Sequence, residues 1–229
     1  MATVLLMRHG RTTANTAGIL AGWTQGVDLD DTGCDQARAW STLLAAIPLT
    51  LAVTSPLLRC CHTADLALAG QDIPRRTDDR LGECRYGAWT GRHLADLADD
   101  PLWRTVQDQP AAARFPDSPT SSGESLADMS ARSVAAIREI DTDITTTYGD
   151  DAIWLAVTHG DVIKAILADA AGAHLDLFQR WQIDPGSLSI VRYTPTRPYL
   201  LRVNDTSSPW QPPRQRTTTD AVPGGGAGD

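Results

Sequence analysis

Between residues 2 and 203 the apolar positions fall into two spacings. Val4 to Met7, Leu51 to Thr54 and Ile153 to Thr158 are short, largely apolar runs bounded by polar turns. Such runs read as strands covered on both faces. Helical spacing lies between them. Thr32 stands as an N-cap for a helix through about Ala46, and Ser55-Pro56 as a cap with proline at the first helical position of another through about Ala69. Leu57, Cys61, Ala64 and Leu68 share one face of that second helix, which predicts packing on a sheet. Further helices are expected over about 124–147 and 161–171, and two strands near 188–193 and 199–203. The stretch from about 70 to 123 holds Pro101, Pro110, Pro116 and Pro119 and reads as an irregular excursion over one end of the sheet. The class predicted is α/β: a mostly parallel sheet with helices on both faces.

From Asn204 onward proline, glycine, serine and threonine dominate and almost nothing apolar remains to bury. The expectation is one folded domain over 1–203 and a disordered tail over 204–229. With 229 residues, 42% of them hydrophobic, the chain is long enough for a substantial core without disulfides. Its four cysteines, Cys34, Cys60, Cys61 and Cys84, lack C-x-x-C spacing, so a reduced, cytoplasmic protein is expected, with Cys60 and Cys61 as small core residues. The net charge of −8 argues against a nucleic-acid partner, and no apolar run is long enough for a membrane span. An anionic ligand would therefore need a local cationic pocket. Oligomeric state is not legible.

Two segments share a design. Arg8-His9-Gly10 and His159-Gly160-Asp161 each place a histidine just past a buried strand, followed by glycine. In a doubly wound sheet the carboxyl ends of the strands line the binding crevice, so these imidazoles can face one another. Arg59 falls in the opening turn of the helix after Ser55-Pro56, where free backbone N–H groups and a guanidinium could jointly hold a phosphate. Glu83 stands in a glycine- and aromatic-rich segment, LGECRYGAWTG, with Trp89 near enough in sequence to shape its surroundings. A carboxyl among apolar neighbours is suited to proton donation; the plainer alternative is pairing with Arg80 or Arg85.

Taken together these motifs resemble the histidine phosphatase superfamily, the phosphoglycerate mutase-like fold. The resemblance rests on Arg8-His9-Gly10 with Asn15, then Ser55-Pro56-Leu57-Leu58-Arg59, Glu83 with Gly87-Ala88-Trp89-Thr90-Gly91, Gly123-Glu124-Ser125 and Thr158-His159-Gly160, in order. It implies His9 as nucleophile, with Arg8, Asn15, Arg59 and a protonated His159 around the phosphoryl group and Glu83 as proton donor. Arg11 and Arg85 are candidates for contact with the rest of the substrate. The resemblance implies a hydrolase of small phosphorylated metabolites that uses neither metal nor cofactor. A phosphoglycerate mutase-type phosphomutase is the alternative, and a non-catalytic phosphate-binding scaffold a third. The segment after Glu83, CRYGAWTGRHLADLADD, contains no lysine, which favours the phosphatase branch.

Overall fold

The computed structural model describes residues 1–207 and 220–227. Its strands are β1 (Thr3–Arg8), β2 (Leu49–Thr54), β3 (Arg75–Thr77), β4 (Ile153–Thr158), β5 (Leu188–Arg192) and β6 (Tyr199–Asp205). They form one sheet in the order β3-β2-β4-β1-β5-β6. β1, β2, β3 and β4 pair in parallel, while β5 runs antiparallel to both neighbours. The helices are α1 (Thr13–Thr16), α2 (Asp31–Ala39), α3 (Ser41–Ala45), α4 (Leu58–Ala67), α5 (Leu94–Leu97), α6 (Pro101–Asp108), α7 (Leu126–Tyr148) and α8 (Gly160–Ala170).

The unbroken apolar runs of β1 and β4 are explained by two cores. Val4, Leu6, Trp154 and Ala156 point to one side and pack with α7 and α8. Leu5, Met7, Leu155 and Val157 point to the other and pack with Trp40, Leu44, Cys60 and Ala64 of the α2 to α4 layer. Alternate side chains leave a strand on opposite faces, so a strand sandwiched between helices has no position left for a polar residue until it ends. Here Arg8 and Thr158 close β1 and β4, and His9 and His159 follow them.

Several boundaries differ from expectation. Asp30, not Thr32, caps α2, its Oδ1 accepting from the Gly33 N–H at 2.8 Å. The predicted single helix is two, broken at Trp40, whose indole N–H donates to Gly186 O at 2.7 Å. α4 begins at Leu58, with Leu57 rather than Ser55 at the cap position; the Ser55 hydroxyl accepts from the Leu57 N–H at 3.3 Å and lies 2.8 Å from His159 Nε2. Cys60, not Cys61, is the fully buried cysteine of that helix. β3 was not expected: its three residues are exposed and carry no apolar pattern. α6 was hidden by reading Pro101 as a breaker, whereas Asp100 caps the helix and proline occupies its first turn. The boundary at 204 is also displaced. Asn204 and Asp205 complete β6, and residues 220–227 pack back onto the domain. The rest of the expected tail, 208–219 and 228–229, lies outside the described residues.

Candidate functional site

The site arises from register. Arg8 and Thr158 are partners in the parallel β1–β4 ladder, so His9 and His159 occupy equivalent positions one residue beyond it. The His9 N–H continues the ladder to Thr158 O at 3.0 Å. Neighbouring strands lie about 4.8 Å apart, and the two rings stand edge to face with centroids 5.2 Å apart. On the other side of β4, Ser55 N–H donates to Val157 O at 2.9 Å, which brings the end of β2 and the first turn of α4 alongside His159. Three adjacent carboxyl ends thus converge.

Each side chain is then fixed by its neighbours. His9 Nδ1 lies 2.7 Å from Gly10 O, so Nδ1 carries the proton and donates it, leaving the Nε2 lone pair free. His159 Nδ1 accepts from Arg59 Nη2 at 3.3 Å, which makes Nε2 the donor to Ser55 Oγ. Thr63 accepts from the Gly10 N–H at 3.0 Å and donates to Arg59 O at 2.6 Å, tying the turn after β1 to α4. That turn packs tightly: a Cβ on Gly10 would sit 2.4 Å from Gly33 O, so glycine is required there for contact with α2 rather than for approach to a ligand.

Glu83 is 3% exposed and pairs with neither Arg80 nor Arg85. Its Oε1 accepts from the Cys84 N–H at 2.9 Å, and its Oε2 stands 3.8 Å from His159 Nδ1. Burial, together with the nearby Asp161 carboxylate, pushes its carboxyl up to about 7. The tryptophan hydrogen-bonded to Glu83 is Trp23, whose indole N–H donates to Glu83 O at 2.6 Å; Trp89 stacks on Trp103 and donates to Asp100. Arg132 of α7 grips the same loop, donating to the carbonyls of Arg80, Gly82 and Glu83 and pairing with Glu124.

Both imidazoles are held neutral. Burial and the flanking Arg59 and Arg8 cations push His9 well below its ordinary value. The same burial, with Arg59 and His9, does so for His159. The expectation of a protonated His159 is corrected for the ligand-free site: two guanidinium groups already supply positive charge in a desolvated space. Arg8 and Arg59 are 0% and 2% exposed. Neither makes an ion pair among the described residues, and Arg8 Nε and Arg59 Nη1 are buried without any hydrogen-bond partner. A buried N–H left unpaired is costly and native proteins rarely keep one. On a cation, such an N–H is a donor that an anionic oxygen could satisfy.

His9, Asn15, Arg59 and Glu83 line a common cavity of about 30 Å³, with Tyr86 and an apolar side of Ile19, Leu20, Ala21 and Leu94. Arg8 and His159 stand behind this lining rather than in it, and Arg11 and Arg85 are not brought there. Arg11 is bound to Asp30 and Thr32, and Arg85 lies over the Trp23 ring at 3.9 Å. The sequence reading gave Thr63 no role and missed Tyr86, Arg132 and the 220–227 segment as parts of this neighbourhood. Tyr86 donates to Asp161 at 2.9 Å. Asp161 was legible as the residue after His159-Gly160; Arg132, one basic residue among 20, carried no distinguishing signal.

The fold and site define a class: α/β proteins with paired histidines and buried arginines at the carboxyl edge of a mostly parallel sheet. The chain belongs to the histidine phosphatase superfamily (branch 1), whose profile matches residues 4–206. It is 39% identical over 95 residues to an adenosylcobalamin/alpha-ribazole phosphatase of Salmonella typhimurium, an alignment covering 42% of this chain and 46% of that protein. The chain thus spans about half the length of that relative. It is 31% identical over 172 residues to a 2,3-bisphosphoglycerate-dependent phosphoglycerate mutase 2 of Gloeobacter violaceus, covering 74% and 75% of the two chains. The solved structure of an alpha-ribazole phosphatase from Shigella flexneri superposes with a TM-score of 0.76 at 25% identity, covering 89% of this chain and 96% of that one.

Proposed function

We propose that this protein hydrolyses the phosphomonoester of a small metabolite through a phosphohistidine on His9. The observation that carries the reading is the pair of unpartnered N–H groups on buried Arg8 and Arg59 beside a neutral imidazole with a free Nε2. In the first half-reaction Nε2 attacks phosphorus and the bond to the alkoxide oxygen breaks. Glu83, protonated near neutral pH, gives its proton to the departing oxygen. Gly10 O stabilises the Nδ1–H of the ring as it becomes cationic. In the second, the Glu83 carboxylate takes a proton from water as that water attacks phosphorus, the P–N bond breaks, and phosphate leaves with both groups restored. Arg8, Arg59 and Asn15 would donate to the equatorial oxygens, where stabilisation counts most, and His159 would join them once the bound anion lets its Nδ1 take up a proton.

The remainder of the cavity favours hydrolysis over mutase chemistry. Beyond Arg59 its lining has no cation to receive a second acidic group, and Ile19, Leu20, Ala21 and Leu94 give it an apolar part. An uncharged alcohol fits that surface better than the carboxylate of a phosphoglycerate. The alpha-ribazole phosphatases among its relatives favour the same reading, while the Gloeobacter mutase favours transfer to a second hydroxyl. A panel of phosphorylated metabolites decides between them. Phosphate release from neutral-alcohol monoesters is expected, falling at least about 10³-fold in His9→Ala. Conversion of 3-phosphoglycerate to its 2-isomer without phosphate release would establish the mutase instead.

A further inference from the structure

The glycine triplet near the end of the chain has no part in the chemistry above, yet it is built against it. Residues 220–227 enter from α6. The Asp220 carboxylate accepts from Trp103 Nε1 at 2.8 Å and from Arg104 Nη1 at 2.9 Å. Gln107 exchanges two hydrogen bonds with the Ala221 backbone, at 2.9 and 2.8 Å. Pro223 is buried, and the Gly224 N–H donates to Asp161 Oδ2 at 2.9 Å.

The chain then turns so that three successive carbonyls meet one guanidinium. Arg8 Nη2 donates to Gly224 O at 3.1 Å and Gly226 O at 2.6 Å, and Nη1 to Gly225 O at 2.8 Å. A fourth bond goes to Ile183 O at 2.7 Å. This convergence requires φ of +72°, +80° and +59° at Gly224, Gly225 and Gly226, a conformation that side-chain-bearing residues rarely adopt. A Cβ on Gly225 would lie 2.9 Å from Arg8 Nη1, and one on Gly160 would lie 2.9 Å from Gly224 O. The seat and its occupant both need glycine.

We infer that Arg8 and Asp161 form a binding site for the chain's own Pro-Gly-Gly-Gly turn, and that this turn competes with the phosphoryl group of the substrate. All four terminal N–H donors of Arg8 are spent on carbonyls, three of them in the strap, leaving only Nε. Gly224 and Gly226 line the cavity; Arg8 does not. With Gly224 and Gly226 in its wall the cavity measures about 30 Å³, so the docked strap narrows the room beside Arg59 for a phosphoryl group. With the strap docked, His9, Arg59 and Glu83 are each no more than 3% exposed. The strap is the element whose carbonyl oxygens already stand where phosphoryl oxygens would be recognised by Arg8. Undocking frees three guanidinium N–H donors and opens the cavity in one step.

The inference rests on the phosphomonoesterase reading only for its activity readout. In the full-length chain, Asp220→Ala combined with Gln107→Ala removes the strap's anchors without touching any residue of the reacting groups. Its kcat/KM for p-nitrophenyl phosphate is expected to rise, through KM, and inorganic phosphate is expected to bind more tightly by calorimetry. A strap docked nine-tenths of the time gives a gain of roughly tenfold in each. A chain ending at Thr219 should show the larger gain, and an acetylated peptide of residues 220–229 added to it should inhibit competitively. Unchanged or weaker phosphate binding in the full-length double variant would overturn the inference, as would a fall in kcat/KM, which would make the strap a completing wall of the site. If neither chain hydrolyses any monoester but loosening the strap still tightens phosphate binding, the strap stands and the hydrolase reading fails.

Discussion

Glu83 shows how one side chain carries both a cost and a use. Its carboxyl is pushed from an ordinary value of 4.5 to about 7 by burial and by Asp161. The folded state therefore prefers the protonated form. Stability is whole below about pH 4.5 and is lost as pH rises towards 7, because the unfolded chain ionises while the native site resists. The loss is on the order of 3 kcal/mol. Glu83→Gln should accordingly melt at a higher temperature than the parent at pH 8 and at the same temperature at pH 4. The same substitution should reduce turnover of alkyl phosphates by about 10²-fold or more while sparing activated aryl phosphates, whose leaving groups need no proton. Parent activity on alkyl phosphates should fall as pH rises through about 7, as Glu83 ionises, and the variant should lose that limb. Equal losses on both substrate classes would remove Glu83 from the role of acid. His9, Glu83 and His159 were legible because each follows a strand or sits among glycines; the neutral state of His159 was not, since it depends on Arg59 and on burial that a sequence does not display.

Among the elements, the strands were the more readable because burial on two faces leaves an unbroken apolar run. The helix limits were less so, because local cap signals do not show tertiary partners: the Ser55 hydroxyl accepts from the Leu57 N–H and meets His159, and Trp40, where α2 gives way to α3, donates to Gly186 O. α7 has a role that periodicity cannot show. From it Arg132 donates to three carbonyls of the loop that ends at Glu83 and pairs with Glu124 at 2.5 Å. Arginine offers five donors in a rigid fork, and lysine cannot reproduce them. Arg132→Lys should therefore loosen Glu83 rather than remove it. Turnover of alkyl phosphates is expected to drop several-fold more than that of aryl phosphates, a contrast read from parallel assays. A uniform drop on both classes would make Arg132 a purely structural residue.

At the scale of the whole molecule, the sheet holds two cores apart, and buried polar groups from β1, β2, β4 and α4 gather at its carboxyl edge. The acidic balance of the chain, −8 in all, makes the buried Arg8 and Arg59 the exception rather than part of a basic surface. Among the described residues no helix is long and apolar enough to cross a membrane. The return of residues 220–227 was illegible because a run of glycines has the composition of a linker; only three-dimensional convergence on Arg8 gives it meaning. Everything proposed for the chemistry depends on His9 accepting the phosphoryl group. The decisive experiment is rapid quench of the enzyme in alkali during turnover, followed by peptide mapping by mass spectrometry. Phosphate is expected on the peptide holding His9, stable to base and labile to acid, and absent from His9→Ala. Phosphate on any other residue, or turnover through a fast burst with none on the protein, would be incompatible with a phosphohistidine at this site.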